Sequence, residues 1–298
     1  METFFEILKS ILYGIVEGIT EWLPISSTGH LILVEEFFPF KQVSEGFFGM
    51  FDVVIQLGAI LAVVVLFWNK IWPFYKKGNL KTVEGGLKRS GKDPAVAGVA
   101  LSMEAFWMWV KIIVACLPAA VIGVLFDDVF DALFYNPVCV ALALIVFGVA
   151  FIVIENWNKG RSPKINTLSE ITYTTALLIG FFQLLAAVFP GTSRSGATIV
   201  GALLIGVSRT VAAEFTFFLA IPVMFGASLL KIVKFFIAGG GFTFAEFFYL
   251  VLGMLVAFAV SVYSIKFLMG YIKKHDFKAF GWYRIVLGIL VLGFFAIK

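Results

Sequence analysis

Eight long apolar runs dominate this sequence and constrain its fold more than any other feature. Six of them lie at 48–68, 107–126, 137–154, 212–232, 247–268 and 283–297, and two more lie at 4–23 and 172–189. A helix needs about 20 mostly apolar residues to cross a bilayer. The chain is only 14% charged, whereas a water-soluble domain has about 25% charged residues. The sequence therefore predicts an all-α polytopic membrane protein, and it excludes a soluble enzyme, a coiled coil and a disordered chain.

Lysine and arginine are concentrated in a few of the segments between these runs. The segment 69–106 carries seven basic residues, and smaller basic groups lie at 159–164 and 273–284. The segments 127–136 and 235–246 carry no Lys or Arg. Because short loops rich in Lys and Arg stay in the cytoplasm, we expect the three basic segments to face the cytoplasm and the other two to face outward.

Two of the apolar runs lead into segments that resemble each other. Residues 14–30 read GIVEGITEWLPISSTGH, and residues 180–196 read GFFQLLAAVFPGTSRSG. At a constant offset of 166 the pairs are Gly14 with Gly180, Glu17 with Gln183, Pro24 with Pro190, Ser26 with Thr192 and Ser27 with Ser193. Each segment is an apolar helix, a proline, a cluster of hydroxyl residues and an apolar stretch too short to span the membrane. Such interrupted segments in both halves of a chain are typical of a central, transporter-like site.

We interpret each segment as a re-entrant helical hairpin; an ordinary helix with a polar exit loop is the alternative. Each half then keeps three full spans, and because three is odd, the two halves have inverted topology. The first repeat is 1–160, with a hairpin at 4–38, spans at 48–68, 107–126 and 137–154, and a cytoplasmic insert at 69–106. The second repeat is 161–298, with a hairpin at 172–207 and spans at 212–232, 247–268 and 283–297. We expect both tips near the bilayer midplane, where non-helical backbone is tolerated only inside protein or beside a wet cavity.

Two carboxylates lie in the first hairpin. Glu17 and Glu21 are four residues apart, so on a helix they project from one face. We expect them to hold a hard divalent cation through oxygen ligands or to pair with an arginine. A water-filled vestibule, or one protonated carboxyl group, would also accommodate them.

Arg194 is the only arginine in the second hairpin, and an arginine inside the membrane is a functional hypothesis by default. Its neighbours offer hydroxyls and unhindered N–H groups where a short helix begins, namely Gly191, Thr192, Ser193, Ser195, Gly196 and Thr198. A helix N-terminus beside a planar guanidinium suits a phosphate group, so the segment predicts an anion site. Arg194 could instead be a structural counter-ion for Glu17 or Glu21, and the small residues could serve helix packing.

The tip of the first hairpin carries Ser26, Ser27, Thr28 and His30. A hydroxyl nucleophile needs a proton acceptor within hydrogen-bond reach, and Ser27 and His30 are three residues apart on the restarting helix. We predict that Ser27 is a nucleophile and that His30 exchanges its proton. The rivals are direct attack or water activation by His30, and a plain interhelical hydrogen bond made by this histidine.

Four strings identify the chain as similar to a known family: EGITEWLPISSTGH, PGTSRSGAT, FDVVIQLGAILAVV and IPVMFGASL. They resemble the undecaprenyl-diphosphate phosphatase family, also called the bacitracin resistance protein family, and the similarity extends over essentially the whole chain. The resemblance implies hydrolysis of a polyprenyl diphosphate to the monophosphate and phosphate, which recycles the carrier lipid for peptidoglycan synthesis. It implies a multi-pass protein of the bacterial cytoplasmic membrane with its active site open to the outer face. It also implies two re-entrant hairpins, an inverted repeat and dependence on a divalent cation such as Mg²⁺ or Ca²⁺.

The candidate residues divide into three groups under this hypothesis. The catalytic candidates are Ser27, His30 and Glu21, the substrate-binding candidates are Arg194, Ser193, Thr198, Ser26, Ser195 and Gly191, and the metal candidates are Glu17 and Glu21. We expect the lipid substrate and the bilayer as partners, and no nucleic acid; a homo-oligomer and the role of the basic insert 69–106 are left open. A lipid-phosphate transporter or flippase that uses the same midplane site is the main alternative, because many secondary transporters are inverted repeats with broken helices.

Overall fold

A computed structural model describes residues 2–76, 80–83, 86–89 and 99–297. The helices are α1 (Glu2–Thr20), α2 (Ser27–Phe37), α3 (Phe47–Val54), α4 (Gln56–Ile71), α5 (Met103–Phe134), α6 (Pro137–Trp157), α7 (Tyr173–Val188), α8 (Arg194–Ile205), α9 (Arg209–Ile237), α10 (Phe244–Tyr271) and α11 (Lys278–Ile297). The predicted all-α class is confirmed, apart from four short strands within the basic insert.

Six stretches of these helices are long and apolar enough to cross a membrane. They are Phe47–Ile71, Met103–Gly123, Pro137–Trp157, Arg209–Ile237, Phe244–Tyr271 and Lys278–Ile297. Each one overlaps a predicted span, so the prediction of six transmembrane helices is confirmed by length and composition. Large apolar side chains such as Val146 and Phe225 are exposed on their outer faces. Contiguous exposed apolar surface of this kind indicates contact with a membrane rather than with water.

Two boundaries differ from those predicted. The first span, 48–68, is made of two helices, α3 and α4, which meet at Ile55. Residues 127–134, predicted as part of an outward-facing loop, continue α5 to Phe134. Residues 124–134 contain no Gly or Pro that would end a helix. The chain turns only at Asn136, whose side chain accepts the N–H of Cys139 and caps α6, as Asn commonly does.

The insert 69–106 contains the strands. β1 (Phe74–Lys76) pairs antiparallel with β4 (Val99–Leu101), and β2 (Leu80–Val83) pairs antiparallel with β3 (Gly86–Arg89). Part of the predicted basic insert, at 77–79, 84–85 and 90–98, lies outside the described residues.

The three most extensive helix–helix contacts are α1 with α10, α7 with α5, and α6 with α11. Glycines lie at all three interfaces, and two of them serve as examples. A Cβ at Gly14 of α1 would lie 2.6 Å from the carbonyl oxygen of Gly253 in α10, and a Cβ at Gly180 of α7 would lie 2.3 Å from that of Ala115 in α5. Small residues at helix interfaces let membrane helices approach this closely.

The turns that follow α1 and α7 lie inside the helix bundle. Residues 195–203 of α8 are all buried. Trp22, in the turn after α1, is fully buried and packs edge-on against Phe217 of α9, with ring centroids 5.2 Å apart. The polar residues of both turns are therefore enclosed by apolar helices.

Candidate functional site

Two serines begin the short helices in the same unusual way. Ser26 precedes α2 with a φ of 75°, and Ser193 precedes α8 with a φ of 68°; they are the non-glycine residues with positive φ in the described part of the chain. The hydroxyl of Ser26 accepts the N–H of Gly29, and that of Ser193 accepts the N–H of Gly196. Both are N-caps. Backbone conformations this rare cost about 1–3 kcal/mol each and cluster at functional sites.

The structure corrects the predicted alignment of the two turns. The caps Ser26 and Ser193 are 167 residues apart, so the pairing of Ser26 with Thr192 and of Ser27 with Ser193 at an offset of 166 is wrong. The second turn has one more residue between its proline and its cap, and it contains Gly191, whose φ is 91°. Ser27 therefore corresponds to Arg194, because each is the first residue of its short helix.

These two first residues meet at one carboxylate. Arg194 Nη2 donates to Glu21 Oε1 over 2.8 Å, and Ser27 Oγ donates to Glu21 Oε2 over 3.0 Å. Ser195 Oγ donates to the Glu21 carbonyl oxygen over 3.1 Å, and Arg194 Nη1 donates to the Thr216 carbonyl oxygen over 3.1 Å. The structure thus joins both turns through Glu21, and it presents a hydroxyl whose proton already points at a carboxylate.

His30 does not pair with Ser27 as predicted. Its Nδ1 lies 2.7 Å from the Ser26 carbonyl oxygen, and its Nε2 lies 2.7 Å from the Tyr283 hydroxyl oxygen. Nδ1 must carry a proton to donate to a carbonyl, so a neutral His30 accepts from Tyr283 through Nε2. On a helix the residue four positions earlier lies nearest, which brings the carbonyl of Ser26, and not the hydroxyl of Ser27, to the ring.

The remaining predicted phosphate ligands are engaged with protein groups. Thr198 Oγ1 donates to the carbonyl of Arg194 over 2.9 Å and accepts from Thr216 Oγ1 over 2.9 Å. Ser193 Oγ and Ser195 Oγ are 3.1 Å apart. A Cβ at Gly191 would lie 2.4 Å from the Val140 carbonyl oxygen, so this glycine permits the packing of the turn against α6. Direct contact of these groups with a phosphate stays a prediction.

Glu17 differs from Glu21 in having no partner. It is 0% exposed, and neither of its carboxylate oxygens has a hydrogen-bond partner among the residues that the structure describes. An enclosed carboxylate with two unused oxygens fits the oxygen ligand that Mg²⁺ or Ca²⁺ requires. Glu21 fits a metal less well because Arg194 and Ser27 occupy its two oxygens. Within the described residues no group of three or more His, Cys, Asp or Glu side chains could hold a metal, so the predicted metal pair stays a prediction.

Two neighbouring residues of α11 were missed by the sequence analysis. Tyr283 contacts His30, and Arg284 is 0% exposed. The Arg284 guanidinium donates to three carbonyl oxygens of the turns, at distances of 3.3 Å to Pro24, 3.0 Å to Gly191 and 2.7 Å to Thr192. It was grouped with a basic loop, yet α11 begins at Lys278. Arg284 lies within the last apolar helix, and an arginine inside the membrane is a functional hypothesis by default, as was argued for Arg194. That position was the signal that could have identified Arg284 from the sequence.

Comparison with known proteins shows which family this chain resembles, and the similarity covers almost its whole length. The model of the family described as "Bacitracin resistance protein BacA" matches residues 10–290. A protein of Desulfitobacterium hafniense named undecaprenyl-diphosphatase is 64% identical over 98% of this chain and 97% of its own length. Undecaprenyl-diphosphatase 1 of Clostridium acetobutylicum is 62% identical over 98% of both chains, and an Enterococcus faecalis undecaprenyl-diphosphatase is 60% identical over 97% of both. The chain therefore belongs to the bacitracin resistance protein BacA family.

Proposed function

We propose that this membrane protein hydrolyses undecaprenyl diphosphate to undecaprenyl phosphate and phosphate, and so recycles the carrier lipid for cell-wall synthesis. Relatives that are 60–64% identical carry the name undecaprenyl-diphosphatase. The observation that carries the proposal is the contact of Glu21 with both Ser27 and Arg194. A nucleophile beside its base, next to a guanidinium that can hold a phosphate, is the arrangement that phosphoryl transfer needs.

The proposed architecture has two re-entrant hairpins, α1–α2 and α7–α8, in an inverted repeat. At about 1.5 Å per residue, the 11 residues of α2 and the 12 of α8 are about half as long as a bilayer core is thick. The packing is reciprocal, since α1 lies on α10, the second span of the other half, and α7 lies on α5, the second span of the first half. A two-fold relation between the halves accounts for this exchange.

The proposed location is the bacterial cytoplasmic membrane, with the site open to the outer face. This orientation rests on the basic segments 69–106, 159–164 and 273–284, which favour the cytoplasm, and on the absence of Lys and Arg from 235–246. The apolar undecaprenyl chain would remain in the lipid beside the hairpins, where burial of its methylene groups supplies much of the binding free energy.

The proposed reaction starts at Ser27. Its hydroxyl proton passes to Glu21 Oε2 while Oγ attacks the terminal phosphorus, and the bond from that phosphorus to the bridging oxygen breaks. Undecaprenyl phosphate leaves with the electron pair of that bond. Water then attacks the phosphoserine, the bond from phosphorus to Ser27 Oγ breaks, and Glu21 returns its proton to Oγ. Phosphate leaves with the oxygen and protons of that water. Arg194 holds the phosphate oxygens during both steps, with the N–H groups at the start of α2 and α8 as further donors.

In the rival mechanism, His30 attacks the phosphorus directly or activates the attacking water. A divalent cation, when bound, would neutralise negative charge that grows on the phosphate oxygens, and Glu17 is the residue that fits it best. Ser193, Thr198 and Gly191 would then support the turns that present these groups.

The test is phosphate release from undecaprenyl diphosphate by the purified protein. We expect Ser27→Ala and Glu21→Gln to lower kcat at least a hundredfold, because loss of a nucleophile or its base removes the covalent route. Ser264→Ala is the matched control, since within the described part of the chain the Ser264 hydroxyl bonds only to the carbonyl of Val260 in its own helix. Near-normal turnover by Ser27→Ala would remove Ser27 as nucleophile and favour His30. A chelator arm, with Mg²⁺ or Ca²⁺ added back, tests the cation.

A lipid-phosphate transporter or flippase is the second candidate. It is favoured by the two short helices that meet head to head within the bundle, as in transporters with broken helices. Movement of labelled lipid phosphate across sealed vesicles without hydrolysis would support it over the phosphatase.

A further inference from the structure

A second concave site lies at the opposite end of α8 from Arg194. It is a cavity of about 400 Å³ formed by the loop 157–164 and the turn 203–209. Helix α8 begins at Arg194 and ends at Ile205, so at about 1.5 Å per residue the cavity lies about 18 Å from the candidate active site. No residue assigned to that site lines the cavity.

The cavity wall is preformed, because hydrogen bonds join two segments that are remote in sequence along its length. Lys164 N donates to the Gly206 carbonyl over 2.8 Å, and Ser208 N donates to the Ile165 carbonyl over 2.8 Å. Asn158 Nδ2 donates to the Leu203 carbonyl over 3.1 Å. A binding site whose walls are already joined loses little conformational freedom when a ligand enters.

The lining carries an excess of positive charge. Its basic residues are Lys159, Arg161, Lys164 and Arg209, and its one acidic residue is Glu155. Glu155 is fully engaged, since Arg209 donates to both of its carboxylate oxygens and the N–H of Phe277 donates to Oε1.

That leaves three cations around one cavity. In the part of the chain that the structure describes, Lys159, Arg161 and Lys164 form no ion pair with a carboxylate. Like charges held at the rim of one concavity repel, and an anion bound between them removes that repulsion. A cavity of a few hundred Å³ is large enough for a phosphate-bearing group.

The edge of the cavity favours a lipid over a free ion. Trp157 and Leu204 are among the lining residues and are 59% and 54% exposed. The guanidinium of Arg161 lies over the Trp157 ring, 4.3 Å from its centroid. Tryptophan and arginine together are typical of the membrane interface, and the apolar edge offers a path for acyl chains while the cations take the headgroup.

We propose that this cavity binds the phosphate-bearing headgroup of an anionic lipid in the leaflet that contacts residues 157–164. Basic pockets between transmembrane helices bind lipid headgroups in this way. The site is independent of the hydrolytic reaction, and it anchors the end of the helix whose other end presents Arg194.

The test compares lipid binding by the full-length protein in nanodiscs of phosphatidylcholine with increasing phosphatidylglycerol. The test variant is Arg161→Gln/Lys164→Gln. Its matched control is Lys273→Gln/Lys274→Gln, which removes the same charge from exposed residues of the same end that do not line the cavity. Native mass spectrometry measures the retained phosphatidylglycerol, and Tm measures its stabilising effect.

We expect the wild type and the control to retain phosphatidylglycerol and to gain Tm as its fraction rises. The test variant should bind it about 25-fold more weakly, because Arg161 and Lys164 line the cavity and each contributes about fivefold through its contact with the bound headgroup. Equal retention by the test variant would overturn the proposal. Displacement of bound phosphatidylglycerol by millimolar inorganic phosphate would overturn the lipid assignment and identify a free-phosphate site.

Discussion

Glu21 is the residue on which the candidate active site depends. Its carboxylate contacts both the predicted nucleophile Ser27 and the predicted phosphate ligand Arg194. Glu21 neutralises Arg194 in the structure. An incoming diphosphate offers Arg194 more negative charge and more acceptors, so we expect the guanidinium to shift toward it and leave Glu21 free to accept the Ser27 proton.

Arg194→Lys tests whether the planar guanidinium is needed. Lysine keeps the positive charge but loses the fork that binds Glu21 and the Thr216 carbonyl at once. We expect kcat/KM for undecaprenyl diphosphate to fall at least tenfold in steady-state phosphate-release assays. Unchanged kinetics would refute phosphate binding through a fork of two N–H donors.

Arg284 illustrates a different use of a buried arginine. Three of its acceptors are carbonyls of the two turns, and a buried carbonyl that loses its donor costs about 1–3 kcal/mol. We expect Arg284→Met to lower Tm by several degrees and to reduce phosphate release at least tenfold, because both turns lose their common support. Arg284→Lys should lie between Met and wild type. A folded Arg284→Met protein with normal turnover would contradict this prediction.

At the scale of the helices, the site depends on how short helices end and restart. Each restart has a serine cap with positive φ, and each is preceded by a proline two or three residues earlier. Because α2 and α8 begin next to each other, the free N–H groups of both first turns can contribute to one anion site. The start of α8 can lie beside the start of α2 only if α7 and α5 pack closely enough to hold the second turn inside the bundle.

Gly180→Ala tests this packing. The added Cβ would lie 2.3 Å from the Ala115 carbonyl oxygen, so α7 and α5 would have to separate, at a typical cost of about 1–3 kcal/mol. We expect a Tm lower by several degrees in differential scanning measurements. Gly226→Ala in α9 is the control, because a Cβ there meets nothing within 4 Å; its Tm should equal or exceed that of the wild type. Equal Tm values for the two variants would contradict the packing argument.

At the scale of the whole molecule, the distribution of positive charge predicts its orientation in the membrane. The cavity loop 157–164, the insert 69–106 and the segment 273–284 are rich in Lys and Arg, whereas 235–246 has none. The positive-inside rule assigns the basic end to the cytoplasm. Under the proposed function, the lipid diphosphate would then enter from the outer end.

Single-cysteine labelling of intact cells measures this orientation. In a background without Cys116 and Cys139, Gly241→Cys should react with a membrane-impermeant maleimide from outside, whereas Ser162→Cys should react only after permeabilisation. Both positions are exposed. The reverse labelling pattern would place the basic end outside and contradict the proposed entry side.

Much of this molecule could be predicted because the relevant information is local in the sequence. The apolar runs predicted six spanning helices, since burial in a bilayer is decided by the composition of about 20 consecutive residues. The resemblance between 14–30 and 180–196 also indicated that Glu21 and Arg194 share a site, and the structure brings them into contact. The extension of α5 to Phe134 was missed because three acidic residues at 127, 128 and 131 suggested a loop where no helix breaker occurs.

The contacts between side chains that are remote in sequence were decided by the tertiary structure alone. The sequence by itself determined which segments enter the membrane and which polar residues they carry, because hydrophobicity and motif spacing are properties of short stretches. Only the packed helices decided that His30 meets Tyr283 and that Arg284 supports both turns. Hydrogen bonds form only within about 3 Å, and the rotation and depth of each helix that set such distances follow from how neighbouring helices interlock.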